Sequence, residues 1–405
     1  MDAAGRIASV RPWGESAAPA SVVDVRPWLL LPGLIDLHAH LPQIPNAGLG
    51  AGLDLLTWLN RYIFPLERDF DRPAAERVAP AAFRAFAAAG TTTVVAYGAL
   101  WPDSLDACFE AAEAHGIRAV IGKVMMDRLT YDEEIAPGEI LERSLRQSAQ
   151  LCAHWHGRDS GRLRYAFTPR FAVSCSPDLL RASARLAAET GAYWQTHLSE
   201  DGGEMGEVQR LFPDARDYLD VYDLAGGLGA RTILAHAIHL SAREIARLAE
   251  SGSHVAHCPA SNLFLGSGSM PLAEYLDQGI SVGLGSDVAA GPELSLFSVM
   301  RAGAYTHNML RAIDDRLPRI DPLDWLRLAT LDGAAVLGLQ DEIGSVEVGK
   351  EADLILVDPE LTAPLPGIEA TVPSELMGRL IFRPHPDMVR GAWVRGRRLA
   401  ADQVF

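Results

Sequence analysis

Short runs of apolar and β-branched residues alternate with longer helical stretches through the middle of the chain. The short runs have Gly or Pro near their ends, which is typical of buried strands, and Ala, Arg and Glu are frequent between them. The clearest predicted helices cover residues 74–89, 105–115, 177–189 and 242–250. The eight predicted strands cover residues 34–40, 91–99, 118–127, 164–171, 193–200, 232–240, 253–259 and 281–288.

This alternation predicts a parallel sheet, because consecutive parallel strands need a right-handed crossover through a helix. Eight strands also close a (β/α)8 TIM barrel, so the predicted fold class is α/β with this barrel. The alternative is a doubly wound open sheet. It is disfavoured because polar residues recur at the carboxyl ends of the predicted strands around the whole set, where a barrel has its catalytic mouth.

Both ends of the chain have an alternating pattern of their own. Terminal strands that cannot extend a closed barrel most simply pair with each other. We therefore expect a small β-sandwich domain made of residues 1–30 and 342–405, and a catalytic barrel domain over 31–341. The strands predicted for the small domain are 6–12, 22–30, 344–357 and 388–399.

Two further segments differ from this plan. The stretch 359–373 is rich in Pro and Gly and predicts a loop. The segment 41–70 is long for a connection between a strand and a helix and contains Trp58, Tyr62 and Phe64. Because such a segment would overhang the barrel mouth, it predicts a lid.

The net charge of the chain limits the classes of ligand that it can bind. The 405 residues include 36 Lys and Arg against 52 Asp and Glu, which gives a formal net charge of −16. A protein that binds nucleic acid needs a basic stripe to displace counterions, so we expect no nucleic-acid partner. A small nucleobase ligand is still compatible with this charge.

Other features predict the compartment. A basic start followed by an apolar core is absent, and so is any run of 18 apolar residues, so we expect neither a signal peptide nor membrane contact. Four widely spaced cysteines without a CxxC pair favour reduced thiols in a cytosol. The expected location is cytoplasmic.

The strongest chemical feature is the pair His38 and His40 at the end of the first predicted strand. Residues two apart on a strand face the same side, so both imidazoles can bind one metal ion. A bare His-x-His is weak, and this chain contains another at His154 and His156. The pair His38 and His40 is a much stronger signal, because it follows a Pro-Gly turn and lies at the carboxyl end of a predicted strand.

Three more polar residues repeat this placement: His197, His236 and Asp287 each follow apolar or small residues near the end of a predicted strand. Imidazoles and a carboxylate around one divalent ion, with a position left for water, are typical of catalytic zinc or iron. Each histidine alone is more simply a hydrogen-bonded core residue. Five matching positions in order disfavour that interpretation.

On these motifs the sequence resembles the amidohydrolase superfamily of metal-dependent barrels, and within it the guanine deaminase family. Residues 32–40, 196–200, 235–237 and 285–287 carry the wider resemblance. Ala290 departs from it, standing where a second glycine is expected. The closer resemblance rests on residues 38–43, 55–67, 168–171, 218–223, 256–262 and 285–291.

The resemblance implies hydrolysis of guanine to xanthine and ammonia, with one Zn2+ per subunit and Fe2+ as the alternative. The ligands carried over are His38, His40, His197 and Asp287. Relatives with two metals bridge them through a lysine of the fourth strand; this chain has two lysines, Lys123 and Lys350, and neither is predicted there. This placement favours a single ion.

Catalytic roles follow from the chemistry of deamination. The metal would activate water by lowering its pKa from 15.7 to about 7. Glu200, three residues beyond His197, is expected to carry a proton to the ring, and Asp287 to act as general base. The sequence leaves open whether His236 binds the metal or orients the water.

Substrate contacts are expected from Gln43, Arg170 and Phe171, together with the groups at the metal. Without the resemblance, Arg170 would be assigned to a surface salt bridge and Phe171 to the core. The alternatives in substrate are another aminopurine, 8-oxoguanine, a pterin or an aminotriazine, and a non-catalytic scaffold is disfavoured by the complete set of site residues. The family implies a homodimer. The expected substrate-binding residues are His40, Gln43, Arg170, Phe171, His197, Glu200 and Asp287.

Overall fold

The structure is a computed structural model that describes residues 1–2, 4–12, 22–129, 137–368 and 370–401. Its strands form one large parallel sheet and one small antiparallel sheet. In chain order they are β1 Leu29–Pro32, β2 Leu34–His40, β3 Thr91–Tyr97, β4 Arg118–Gly122, β5 Val124–Met125, β6 Leu163–Pro169, β7 Tyr193–Leu198, β8 Thr232–His236, β9 His254–His257, β10 Val282–Leu284, β11 Leu354–Val357, β12 Val389–Val394 and β13 Arg397–Arg398.

The predicted eight-stranded parallel barrel is confirmed. Its strands are hydrogen-bonded in the order β10-β9-β8-β7-β6-β4-β3-β2, and the short β5 pairs with β6. The first strand, β2, is joined by backbone hydrogen bonds to the segment that follows the last strand, β10. The Asp287 N–H donates to the His38 carbonyl at 2.7 Å, and the His40 N–H donates to the Val288 carbonyl at 3.0 Å. The ring therefore closes at its carboxyl end.

Helices cover the outside of the barrel, and local sequence sets their ends. The Asp71 carboxylate accepts from the Ala74 N–H where one helix begins, and Gly116 ends the next in the left-handed region, at φ 93°. The helices are α1 Leu55–Trp58, α2 Phe64–Arg68, α3 Arg72–Ala88, α4 Pro102–His115, α5 Pro137–Trp155, α6 Arg158–Gly161, α7 Pro177–Thr190, α8 Gly202–Leu211, α9 Tyr218–Leu224, α10 Ala242–Ser251, α11 Pro259–Phe264, α12 Leu272–Asp277, α13 Leu296–Ile313, α14 Pro322–Leu328, α15 Leu331–Val336 and α16 Pro373–Phe382.

Two apolar layers hold this arrangement. A small inner cluster fills the barrel with side chains such as Leu37, Val120 and Ile233, together with residues of α15. A much larger cluster lies between the strands and the surrounding helices. Among the described residues, no helix combines the length and the apolar character that crossing a membrane requires.

The prediction that both chain ends form a small β-domain is confirmed, but the predicted sandwich is wrong, because the described residues form a single sheet there. In the described ranges it is one antiparallel sheet of four strands, in the order β1-β11-β12-β13. The strand predicted at 22–30 is short and shifted, forming β1 at Leu29–Pro32, and the one predicted at 344–357 shortens to β11. The predicted loop 359–373 contains the 3-10 helix Pro359–Thr362. The domain boundaries predicted at residues 30 and 342 stay a prediction.

The strand predicted at 6–12 is wrong. Only one isolated bridge, between Arg6 and Glu351, forms there. Ile7 is buried against Ala352 and Leu354, whereas residues 8–12 are exposed. With one buried apolar side chain and a proline that lacks an N–H, the segment docks on the sheet without extending it.

A buried ion cluster joins the small sheet to the barrel. The Arg118 guanidinium of β4 contacts the Glu351 carboxylate at 2.5 Å and that of Asp353 at 2.9 Å. Arg118 is 1% exposed, so its charge depends on these two partners for compensation. The chain ends are thereby tied to the side of the barrel away from its mouth.

Candidate metal and substrate site

Four of the predicted metal-binding side chains converge at the carboxyl end of the barrel. The Nε2 atom of His40 lies 3.2 Å from Nε2 of His38 and 3.3 Å from Nε2 of His197. Oδ1 of Asp287 lies 3.2 Å from Nε2 of His38 and 3.3 Å from Nε2 of His40. His236 is also close, since ligand atoms of His38, His197, His236 and Asp287 all lie within 4.8 Å of one another.

Backbone turns at the strand ends direct these side chains inwards. Ser199, His236 and Asp287 have φ angles of 47°, 69° and 50°, a region that residues other than glycine seldom adopt. Such strain persists where the surrounding structure holds it, most often at functional sites. The Asp36 carboxylate supports the turn before Asp287 by accepting from the N–H groups of His38 and Ser286.

Hydrogen bonds from the other ring nitrogen fix two of the imidazoles. Nδ1 of His197 lies 2.6 Å from the Arg170 carbonyl, which can only accept, so this nitrogen carries the proton. Nδ1 of His236 lies 3.0 Å from Oδ1 of Asn262 in the same way. Both Nε2 lone pairs are thereby left facing the cluster, as metal ligation requires.

Charge states in the cluster also suit a cation. Burial lowers the pKa of His38 to about 4, and burial with the adjacent histidines holds the pKa of His197 well below its ordinary value. Burial opposes ionisation of Asp287, but His38 and His40 hold its pKa well below the usual range. Neutral imidazoles beside an ionised carboxylate are what a divalent ion binds.

The donor set fits a single divalent ion. Zinc–nitrogen bonds of about 2.0–2.1 Å place tetrahedral ligands a little over 3 Å apart, which is the spacing of these nitrogen and oxygen atoms. The buried Nε2 of His236 also lacks a hydrogen-bond partner among the described residues. A second metal is not favoured, because Lys123 bonds the Val124 carbonyl and Ser144 instead of entering the cluster.

Glu200 stands beside the cluster on the segment after β7. Its Oε2 lies 3.4 Å from Nε2 of His236, and its Oε1 is buried without a partner in the described part of the chain. Burial, and then the charge of Asp287, raise the pKa of Glu200 well above its usual range. The Glu200 backbone is held by its N–H, which donates to the Glu204 carboxylate at 2.9 Å. The position suits a group that takes up and releases a proton.

A cavity opens over this cluster and contains the predicted substrate residues. About 330 Å³ of space free of protein atoms lies among its lining residues, part of it open to solvent. The prediction that 41–70 overhangs the mouth agrees with four residues of this segment in the cavity wall, Gln43, Leu55, Trp58 and Leu59. The lining residues are His40, Gln43, Leu55, Trp58, Leu59, Arg170, Phe171, His197, Glu200, Asp287 and Ala290.

Gln43 and Arg170 are buried in the cavity wall and share one partner. Nε2 of Gln43 donates to Oε1 of Glu67 at 2.7 Å, and Nη2 of Arg170 donates to the same oxygen at 3.1 Å. The guanidinium lies over the rings of Phe64 and Phe171, 5.2 and 5.6 Å from their centroids. Arg170 is therefore part of a buried network and not of a surface salt bridge.

Sequence reasoning missed the residues that hold the site from behind. Ser261 donates to Oδ2 of Asp287 at 2.6 Å, Asn262 orients His236, and Glu67 binds both Gln43 and Arg170. All three lie in segments that carried the family resemblance. The available signal was polar residues within those motifs, but no spacing rule connects Glu67 to a residue 103 positions away.

The other histidine pair behaves as expected. His154 and His156 lie at the end of α5, and Nδ1 of His156 accepts from the Tyr165 N–H. His257 ends β9 and is buried, and burial lowers its pKa to about 3. The charge of His236 also lowers this pKa, but no described side-chain hydrogen bond joins His257 to the ligand cluster.

Comparison with known proteins agrees with this architecture. The amidohydrolase family matches residues 29–399. A probable guanine deaminase of Deinococcus radiodurans is 38% identical over 388 residues, covering 94% of this chain and 86% of the relative.

Solved structures are similar over nearly the whole chain. Guanine deaminase from C. acetobutylicum with guanine in its active site has a TM-score of 0.89 at 30% identity and covers 98% of this chain and 93% of its own. An adenosine deaminase from Xanthomonas campestris with bound zinc has a TM-score of 0.83 at 28% identity, covering 99% and 88%. With such identity across both lengths, the chain belongs to the amidohydrolase family and, within it, to the guanine deaminases.

Proposed function

We propose that this protein hydrolyses guanine to xanthine and ammonia. The observation that carries the proposal is a cavity in which a ligand cluster for one divalent ion faces two buried polar groups, Gln43 and Arg170. The sequence identity to guanine deaminases over nearly the full length supports the same substrate.

The metal would be held by His38, His40, His197 and Asp287, with His236 beside them. Amidohydrolases depend on metals, and the zinc in a related deaminase structure supports Zn2+ as the native ion. When bound, this ion supplies the Lewis acidity that makes water a nucleophile at neutral pH.

Glu200 and Asp287 would move the protons. Oε1 of Glu200 delivers one to a ring nitrogen while the nucleophile adds to the carbon that bears the amino group. Asp287 takes the proton that the water loses, because its carboxylate lies in the ligand cluster and its ionised form is favoured. Return of a proton to the amino nitrogen releases ammonia, so guanine and water give xanthine and ammonia in balance.

Arg170 and Gln43 would recognise the base. Guanine has a carbonyl oxygen at position 6, where adenine has an amino group. A guanidinium only donates, so Arg170 pairs with the carbonyl and rejects the amino group. The Phe171 ring would form a wall beside the purine.

The nearest competing function is deamination of another amino-heterocycle by the same chemistry. An ammonia-release screen over guanine, 8-oxoguanine, adenine, a pterin and an aminotriazine separates these substrates, with metal content measured in parallel. We expect the highest kcat/KM on guanine, at one zinc per chain. A higher value on another substrate, or release of no ammonia at all, overturns the proposal.

We further propose a homodimer in the cytoplasm, as the sequence and family predict. Light scattering after size exclusion measures the mass in solution directly. A mass near the 43.7 kDa of one chain would contradict the dimer.

A further inference from the structure

Glu67 is a buried acid at the edge of the site, and one of its oxygens accepts hydrogen bonds from two side chains. It lies in α2, is 1% exposed and is not among the residues of the cavity wall. The donors on its Oε1 are Nε2 of Gln43 and Nη2 of Arg170, both side chains of that wall. One carboxylate therefore lies behind both groups that are proposed to contact the base.

This contact fixes the direction of the Gln43 amide. A carboxylate offers only acceptors, so the end of the amide that faces Glu67 must be its NH2 group. The carbonyl oxygen Oε1 of Gln43 then points away from Glu67. It is buried and has no hydrogen-bond partner among the described residues. A buried acceptor in a cavity wall without a partner calls for a ligand that donates to it.

The same carboxylate compensates the charge of Arg170. Arg170 is 3% exposed, and its guanidinium lies over the rings of Phe64 and Phe171. The ion pair with Glu67 limits how the guanidinium can turn and leaves it as a donor group in the wall.

We propose that Glu67 is a specificity-determining positioning residue, which sets Gln43 as an acceptor and Arg170 as a donor for the edge of the base. This inference rests on the proposed guanine deamination. The ligand that fits this pattern is a ring with an N–H donor and a carbonyl acceptor. Guanine has both, and 2-aminopurine has the same 2-amino group but neither the carbonyl nor the N1–H.

The experiment compares Glu67→Gln with the parent on guanine and on 2-aminopurine. A neutral amide can donate as well as accept, so it no longer forces the orientation of Gln43 and no longer balances Arg170. We expect kcat/KM on guanine to fall at least about tenfold, mainly through KM, with the metal content retained. On 2-aminopurine the change should stay within about threefold.

Glu351→Gln is the matched control. Glu351 is another buried acid, paired with Arg118 and Arg395, far from the cavity in the region of the small sheet. Its replacement should lower stability without changing the preference for guanine over 2-aminopurine.

Exchanging the charges of Gln43 and Glu67 tests which of the two side chains must donate the hydrogen bond between them. Gln43→Glu alone places two carboxylates in contact, which forces one of them to hold a proton or to move away. Adding Glu67→Gln lets the new amide donate to the new carboxylate and returns an acceptor to the cavity. We expect the double variant to exceed Gln43→Glu by at least about tenfold in guanine kcat/KM.

The outcomes separate this inference from the proposed function. If the parent deaminates guanine but Glu67→Gln lowers both substrates equally, or neither, Glu67 has no role in specificity and the function stands. If the parent releases no ammonia from guanine, the proposed function is wrong. The role of Glu67 is then tested by calorimetry, which compares the binding of guanine and of 2-aminopurine to the parent and to Glu67→Gln. A selective loss of guanine binding in Glu67→Gln supports the positioning role, whereas equal or no loss, or a parent that binds neither purine, overturns it.

Discussion

Replacing Arg170 by leucine separates substrate recognition from metal binding. The substitution removes the guanidinium but keeps the backbone carbonyl, which accepts from Nδ1 of His197 at 2.6 Å. His197 should therefore keep its orientation, and the metal content should not change. Hydrogen bonds to a charged group contribute roughly 1.5–3 kcal/mol, so guanine kcat/KM should fall about 10- to 150-fold. Adenine-type substrates should lose little, because they have no acceptor at that position.

The same substitution also has a predictable cost in stability. It removes a cation that pairs with the buried Glu67 carboxylate, and breaking a buried pair from one side costs about 3–5 kcal/mol. The double variant Arg170→Leu with Glu67→Leu removes both charges and should recover much of that free energy of unfolding. It should not recover guanine turnover.

Three measurements on the same preparations decide the matter: ammonia release, metal analysis and urea unfolding. Guanine turnover by Arg170→Leu within about threefold of the parent would refute the reasoning, and Arg170 would then be a structural residue. Loss of the metal in this variant would instead show that the side chain, and not only the carbonyl, supports His197.

Three other perturbations test separate parts of the structure. His40→Ala should remove both metal and activity, and stoichiometric metal with full turnover in this variant would contradict the ligand assignment. Glu200→Gln should keep the metal and lower kcat by at least about two orders of magnitude, whereas a loss under about tenfold would move the proton transfer to His236. Burial lowers the pKa of Lys123 from 10.5 to about 7, so the unfolded state binds more protons between those pH values and stability rises with pH across them. Lys123→Met should therefore raise the free energy of unfolding most below pH 7, with the gain shrinking by up to about 1.4 kcal/mol per pH unit towards pH 10.5, and a gain that does not vary with pH would show that the amine is not penalised.

The barrel was predictable because apolar runs mark buried parallel strands. β2 has the predicted bounds, and the other seven strands overlap their predictions. Most predicted strands are too long at the carboxyl end, however. The chain leaves the sheet there through left-handed turns such as those at Ser199 and Asp287, which hydrophobicity does not reveal.

The candidate ligands were predictable and their supports were not. His38 and His40 are predictable because they lie two residues apart at the end of a strand, where strand geometry puts alternate residues on one side. Glu67 and Ser261 act through contacts with residues distant in sequence, which a local pattern does not encode. The role of His236 stayed open for the same reason, since its distance to Glu200 depends on how two strands pack.

The barrel closes next to the predicted metal ligands, at the bonds between His38 and Asp287 and between His40 and Val288. The completion of the site therefore depends on the order in which the chain is synthesised. His38 and His40 leave the ribosome early, whereas the segment that meets them, bonded across 250 positions between Asp36 and Ser286, emerges late. Until β10 is made, a nascent chain has the four histidines of the cluster without the Asp287 carboxylate, and a sheet with two open edges. Contacts at such separation form slowly. Closure of the barrel and completion of the ligand set by Asp287 therefore become one late event.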